Sequence, residues 1–423
     1  GTWTGGSGTN GIPSTADITK GIHIQEDVSL ASSFNCACIT IDPSKNLTLL
    51  SGATINIEES IDLNGDIRLT GTSQLKQNHT GTSTVLGNGN LYIDKTSSTS
   101  TKYQYGYWTS PVNSAGTFSI AGVMKDGTTP TNASSTPLDI TFISDAYGAN
   151  HTTSPITVSS YWIYEFINAT NWTGNNKETE NFTIGEGYTF KGSGGIQNYT
   201  FLGTPNDGDY SLTLDGNNYY LIGNPYPSAL NADTFIDDNI TTIDGTLYFW
   251  DAGDEPSSHS STRTGGYATY TKSGGVGTMA STGSDSEGTP NEYISITQGF
   301  IVKKSTTATT SSISFNNAQR TLNTSGIVFN RTQETTKPKL RIGFEYNIDS
   351  DNNFHRQVLI SFEGLTRDFE NGYDGKMFDP KTNDIALKVE NDTSKYIITA
   401  IEDFSKETEI PIDVFIESDK NVR

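Results

Sequence analysis

CITIDPSKNLTLLSGATINIEESIDLNGDIRL, residues 38–69, is the stretch on which the fold turns. Ile39 and Ile41, Leu47 and Leu49, Ile55 and Ile57, Ile61 and Leu63, and Ile67 and Leu69 are apolar pairs, each with one polar residue between its members, and Leu91 with Ile93 continues the series. Second neighbours on a strand share a face, so each pair reads as a short strand with one inward side. The gaps hold Asp42-Pro43, Ser51-Gly52, Asn64-Gly65 and Gly71-Thr72, which are turn chemistry. Short strands separated by about six to eight residues suit the faces of a parallel β-solenoid, in which each coil stacks on the last and small residues take the corners. Asn64-Gly65 would also close a hairpin, so a meander is the alternative, and the solenoid is favoured. Residues 30–95 are therefore expected to form stacked parallel strands, in a chain with almost no helix.

Composition extends this reading outward. The 423 residues are too many for one ordinary core, and two to four domains are expected. Only 33% are hydrophobic, yet 20 Tyr, 19 Phe and 5 Trp are too many aromatics for a disordered chain, and 42 Gly suit a turn-rich all-β protein. A net charge of −21 without a basic run argues against nucleic acid, and makes divalent cations plausible bridges to other anionic surfaces. No stretch approaches the roughly 20 apolar residues of a membrane span, and Gly1 opens no charged-then-apolar leader, so a removed signal peptide or a fragment is expected. Cys36 and Cys38 sit two apart in an alternating run, where a mutual disulfide would be strained and plain packing is expected.

Residues 1–100 thus form a solenoid-like head, and from Tyr103 the pattern changes to aromatic-rich strands between long Gly, Ser, Thr and Asn loops. Within 101–337, segments 103–200 and 215–320 resemble each other. YWTSPV (107–112) matches LIGNPYP (221–227), YWIYEF (161–166) matches LYFWDA (247–252), and GEGYTFKG (185–192) matches TQGFIVKK (297–304). Pro111 to Pro225 is an offset of 114 and Gly187 to Gly299 one of 112, whereas Trp162 to Trp250 is 88, so a diverged duplication with unequal loops is expected. Thr336-Lys337-Pro338 leads into a last set of alternating strands, 338–423, read as a truncated β-sandwich. The expected class is all-β, a parallel solenoid-like segment followed by jelly-roll-like β-sandwich domains.

LIGNPYPSAL (221–230), LYFWDAG (247–253), TQGFIVKK (297–304) and ISFNNAQR (313–320), followed by NGYDGKMFD (371–379), KYIITAIEDF (395–404) and EIPIDVFI (409–416), together resemble the ectodomain upstream of the sorting signal in surface proteins of gliding Bacteroidetes. The likeness covers about residues 100–423, and the GTWTGG opening is similar to head regions of the same proteins. It implies a secreted cell-surface protein exported by the type IX secretion system. Its partners would be the translocon and its shuttle protein, engaged through a C-terminal sorting domain not included in these residues. The resemblance gives an address outside the cell or on its outer surface, and no ligand.

Candidate chemistry is sparse. Gly6 to Gly11 satisfies the literal dinucleotide fingerprint, but no helix follows to face a pyrophosphate, so it reads as a terminal turn. The five histidines form no HExxH pair, and there is no G-x-S-x-G elbow. Asp349, Asp351, Asn352 and Asn353 crowd one turn and Asp251, Asp254 and Glu255 another, offering oxygen ligands of the kind calcium takes, against the plainer reading of solvated turns. The doublets Tyr161-Trp162, Tyr219-Tyr220 and Phe249-Trp250 place one ring inward and one outward on a strand, so Trp162, Tyr220 and Trp250 are candidate platforms for a sugar, against core filling. Sequons such as Asn46, Asn78, Asn168, Asn171 and Asn198 are what a chain rich in Asn, Ser and Thr holds by chance. The expectation is a non-enzymatic adhesin or adhesin stalk, with a link to gliding or surface attachment. The alternatives are an ancillary glycan-binding region of a larger polysaccharide-degrading enzyme, and a filament or coat subunit.

Overall fold

The computed structural model describes residues 3–97, 101–127, 136–168, 172–252, 258–259, 265–278, 280–281, 288–323, 337–347 and 353–417. Strand accounts for 45% of residues and helix for 6%, which makes the chain all-β. The N-terminal region is a β-solenoid of about 6 turns, followed by curled sheets.

The apolar pairs stack as a solenoid requires. Phe34–Ile41 and Thr54–Leu63 run parallel, with Ile39 beside Ile61 and Ile41 beside Leu63. On the second face Leu47 lies beside Ile67 and Ile67 beside Leu91, while Leu49, Leu69 and Ile93 stack the same way. From Ile39 to Ile61 is 22 residues, from Leu47 to Ile67 is 20, and from Ile67 to Leu91 is 24, so the closer spacing of the pairs marks successive faces of one coil. All of these side chains are at most 3% exposed. Asn64-Gly65 is a corner of a coil and joins no hairpin. A Cβ on Gly65 would lie 2.3 Å from Lys45 O and 2.4 Å from Asp42 O, so the coil beneath leaves no room for a side chain. Cys36 and Cys38 are free, and a register shift separates them.

The last rung, Leu91–Ser97, is covered by the antiparallel strand Gln197–Pro205. Asp94 at this seam receives two bonds from Arg68, 2.8 and 2.9 Å, and one from Thr200 Oγ1, 2.6 Å, so its buried charge is paired and hydrogen-bonded. The first core therefore does not stop at residue 100, and runs from Ile24 in the solenoid to Phe201. A second core gathers residues between Leu212 and Phe315, and a third lies in the C-terminal sheet around Val358, Ile360, Tyr396 and Ile398.

Two strand pairs organise the middle of the chain. Gly106–Trp108 pairs antiparallel with Tyr188–Phe190, Trp108 opposite Tyr188, and Tyr219–Gly223 pairs antiparallel with Gly299–Lys303, Ile222 opposite Phe300. Adding 114 to Trp108 and 112 to Tyr188 gives Ile222 and Phe300, so the two pairs share one register. The bridges between them are reciprocal: Trp108 with Gln298, and Glu186 with Ile222. Tyr164 exchanges bonds with Thr189 as Tyr248 pairs with Ile301, which makes Tyr164 the counterpart of Tyr248 in the other half and leaves Trp162 and Trp250 in unlike places.

GNPYPS is the joint between this region and the solenoid. Pro227 O accepts from Leu75 N, and Ala229 N donates to Gln74 Oε1, both on the Gln74–Gln77 rung. Tyr226 is fully buried, its hydroxyl donating to Gly208 O, with the Arg320 guanidinium 4.9 Å from its ring centroid.

Candidate functional site

The strand pair Gly106–Trp108 with Tyr188–Phe190 and the strands Leu247–Asp251 and Gly266–Thr271 contribute to the lining of a cleft of about 350 Å³. Its lining is Tyr105, Tyr107, Tyr164, Trp172, Thr189, Trp250 and Tyr267. Two cross-strand pairs build the walls: Tyr107 opposite Thr189, and Trp250 opposite Tyr267. The walls touch through their rings. Tyr107 and Trp250 lie near parallel at 25° with centroids 6.1 Å apart, and the Tyr107 and Tyr267 hydroxyls are 2.7 Å apart. Trp172 leans on Tyr107 at 5.3 Å and on Phe166 at 4.8 Å, and remains 37% exposed. Below lies a small apolar cluster of Tyr107, Phe166, Leu221, Tyr248 and Ile301, separate from the three larger cores.

The polar atoms of the lining are those of neutral groups. Thr189 Oγ1 donates to Trp162 O and accepts from Tyr164 N. Burial pushes the Tyr267 phenol up to about 12, so it stays protonated as the bonding partner of Tyr107. Trp250 Nε1 is enclosed and has no hydrogen-bond partner among the described residues. Such a wall of ring faces and neutral donors can hold a ligand by stacking and directed hydrogen bonds, and among the described residues its lining has no carboxylate, imidazole or thiol.

A second aromatic cluster adjoins it through Tyr105. Lys191 Nζ stands 3.8 Å from the Trp162 ring centroid and 4.3 Å from that of Tyr105. His259 stacks on Trp162 at 4.6 Å and 12°, and its Nδ1 is 3.1 Å from Lys191 Nζ. That short distance puts ammonium and imidazole on the same face of the indole.

The candidate platforms fare differently. Phe249 is buried and Trp250 enters the cleft, as alternation on a strand demands. Tyr220 is a correction: it is 3% exposed in the second core, its hydroxyl bonded to Gly216, while Tyr219 is the half-buried ring of that doublet. Trp162 lies in the short 3-10 turn Ser160–Trp162, where alternation does not hold, and Lys191 and His259 take one of its faces.

Of the calcium candidates, Asp349, Asp351, Asn352, Asp254 and Glu255 lie outside the described residues, and so does the Asn353 side chain. Asp251 is no solvated turn residue. It ends a strand, is 4% exposed, and accepts from Thr278 Oγ1 at 2.7 Å. Among the described residues no group of three or more His, Cys, Asp or Glu could hold a metal ion, and no helix is long and apolar enough to cross a membrane.

Tyr105, Tyr107, Tyr164, Trp172 and Tyr267 escaped the doublet argument because none belongs to a doublet considered there. YQYGYW (103–108) carries Tyr103, Tyr105 and Tyr107 at every second residue, and of these Tyr107 lies in the strand Gly106–Trp108 while Tyr105 reaches the cleft from just before it. Residues 8–422 match the family described as a domain of unknown function, DUF8693. The chain belongs to the DUF8693 family. The match runs through solenoid, middle region and C-terminal sheet together, so the cleft and everything that frames it lie within one family unit. No curated protein and no solved structure matches this DUF8693 chain.

Proposed function

We propose that this chain is a non-enzymatic, secreted cell-surface binding protein, an adhesin or adhesin stalk, whose aromatic cleft holds a neutral glycan. The observation that carries the reading is the cleft itself, six aromatic rings and one threonine around about 350 Å³. That volume is within the range of small-ligand sites, roughly 300–1,000 Å³. Sugars present apolar C–H faces between their hydroxyls, and Trp and Tyr meet both with a ring face and a polar tip. A lining without charge favours a neutral sugar over a uronic or sulfated one. Export by the type IX system, and attachment to surfaces or gliding, follow from the sequence resemblance and are proposed on that ground.

An array of neutral and acidic glycans, with calorimetry on any hit, tests this. Trp172→Ala and Trp250→Ala are expected to weaken binding of a neutral glycan at least tenfold while leaving the circular dichroism spectrum unchanged. Binding that survives both substitutions, or hydrolysis of any polysaccharide offered, would overturn it. The rival reading, an ancillary glycan-binding region of a larger polysaccharide-degrading enzyme, uses the same cleft and is favoured if a catalytic domain precedes Gly1. A calcium site at the turn from Asp349 to Asn353 is proposed separately from the density of oxygen ligands there. Calcium titration of Asp349→Ala and Asp351→Ala is expected to show reduced uptake, and unchanged uptake removes the site.

A further inference from the structure

One wall of the cleft is braced from outside the strands that form it. Phe378 touches three rings, Tyr267 at 4.3 Å, Tyr219 at 4.8 Å and Tyr248 at 5.0 Å between centroids. Tyr267 is a cleft wall, so its ring has the ligand space on one side and Phe378 behind it. Its hydroxyl meets that of Tyr107, which stacks on Trp250. Tyr267 is thus held by Tyr107 at its tip and, against its ring, by Phe378 and by its own cross-strand partner Trp250, 5.2 Å away.

Phe378 belongs to the C-terminal segment, and the loop that brings it is bonded to the strands carrying Trp250 and Tyr267 and to the turns beside them. Gly372 N donates to Asp244 O at 3.0 Å, and Lys272 N to Gly372 O at 2.8 Å. Thr271 Oγ1 donates to Tyr373 O at 2.9 Å, Thr246 Oγ1 to Asp374 O at 3.3 Å, and Tyr248 Oη to Lys376 O at 3.0 Å. Gly245 and Gly372 meet back to back: a Cβ on Gly245 would lie 2.4 Å from Gly372 Cα. The NGYDGKMFD motif is therefore a docking loop, and its Phe378 is delivered to one place.

We propose that Phe378 is the positioning residue of the aromatic cleft, and that docking of the C-terminal sheet sets ligand affinity through it; this rests on the glycan reading of the cleft. Close-packed surroundings hold a ring in one orientation, and a void behind Tyr267 frees it to tilt away. Tilting breaks the contact with Tyr107, and Tyr107 then loses its register on Trp250. Preorganised rings bind more tightly than rings that must be ordered by the ligand.

The test uses the full chain labelled with 5-fluorotryptophan, in which each of the 5 tryptophans gives its own fluorine resonance. Calorimetry with two neutral hexasaccharides, cellohexaose and mannohexaose, accompanies it. Phe378→Ala is expected to move the Trp250 and Trp172 resonances, leave those of Trp3 and Trp108 in place, and weaken hexasaccharide binding at least tenfold. Phe378→Tyr restores ring contact, since position 378 is half-buried and tolerates a hydroxyl, and is expected to recover both readouts. If Phe378→Ala does not fold, Phe378→Leu retains bulk without the ring and is expected to give the same local shifts. Unmoved Trp250 and Trp172 resonances, movement of all tryptophans alike, or no rescue by Phe378→Tyr would overturn the proposal. If neither sugar binds the unaltered chain, the glycan reading loses its support, and the fluorine shifts still decide whether Phe378 positions the cleft.

Discussion

Asn224 shows how much one side chain of the GNPYPS motif secures. It is fully buried, and its Nδ2 donates to Ser228 O at 2.8 Å and to Ile294 O and Ser295 O at 3.1 Å, while Oδ1 accepts from Tyr226 N at 3.0 Å. One amide thereby satisfies a loop's carbonyls and N–H together, which no other side chain of that size does. Asn224→Ala leaves these groups buried without partners, at a cost of roughly 3 kcal/mol in urea unfolding. Asn224→Asp is expected to be worse, because it turns a carboxylate toward three carbonyl oxygens. A smaller loss for Asp than for Ala would show that the carbonyls find other donors. The motif that carries most of the sequence resemblance is thus explained by the joint with the solenoid, and the cleft lies beside it on other residues.

At the scale of elements, the solenoid corners separate two kinds of glycine. Gly52 has φ +88° with nothing near its missing Cβ, whereas Gly65 needs no positive φ but has backbone oxygens 2.3 and 2.4 Å from that position. Gly52→Ala should cost about 1 kcal/mol through backbone strain, and Gly65→Ala on the order of 2–3 kcal/mol because the preceding coil must move. Equal effects in denaturant titrations would mean the coils are more compliant than their spacing indicates. These coils were legible in the sequence because stacking puts like on like: Leu47, Ile67 and Leu91 place a branched aliphatic side chain at the same point of successive coils. The cleft was legible only at Trp250. Its walls join Tyr107 to Trp250 and to Tyr267, partners more than 140 residues apart, and no local pattern encodes which distant strands will face each other. Where a local rule failed, as at Tyr220 and Trp162, the cause was the core claiming one ring and a 3-10 turn replacing the strand at the other.

For the whole molecule, the junction between the middle region and the C-terminal sheet should respond to pH. Asp244 is pushed up to about 6 and Asp374 to about 7, in both cases first by burial. Asp244 accepts from Thr246 N through one oxygen, and its other oxygen has no hydrogen-bond partner among the described residues; Lys303 and Lys376 oppose the shift, and Tyr248 and Tyr396 stand beside it. A carboxyl raised in the folded state binds its proton more tightly there than when unfolded, so folding takes up protons. Its contribution is greatest at and below about pH 4, declines as pH climbs from the unfolded value, and levels off above the folded one. For Asp244 the decline is roughly 3 kcal/mol between about pH 4 and pH 7. Asp374 adds in the same direction, its burial outweighing the bonds from Glu370 N and Ala400 N that favour the ionised form. Asp392 and Glu402, held below their usual range by partners that include Lys376 and Arg367, work the other way, and their contribution is lost only as pH falls below about 4. The melting temperature is therefore expected to rise as pH is lowered from 8 to 5 and to fall again below 4. Asp244→Asn keeps the acceptor for Thr246 N without the charge, so it should flatten the slope between pH 5 and 8 and raise stability at pH 8 by about 2 kcal/mol. A variant that melts with the unaltered slope would place the pH response elsewhere. Because the same loop carries Phe378 to the cleft, the loosening at high pH should also appear as weaker ligand binding at pH 8 than at pH 5, and Asp244→Asn should lessen that difference, leaving the part set by Asp374.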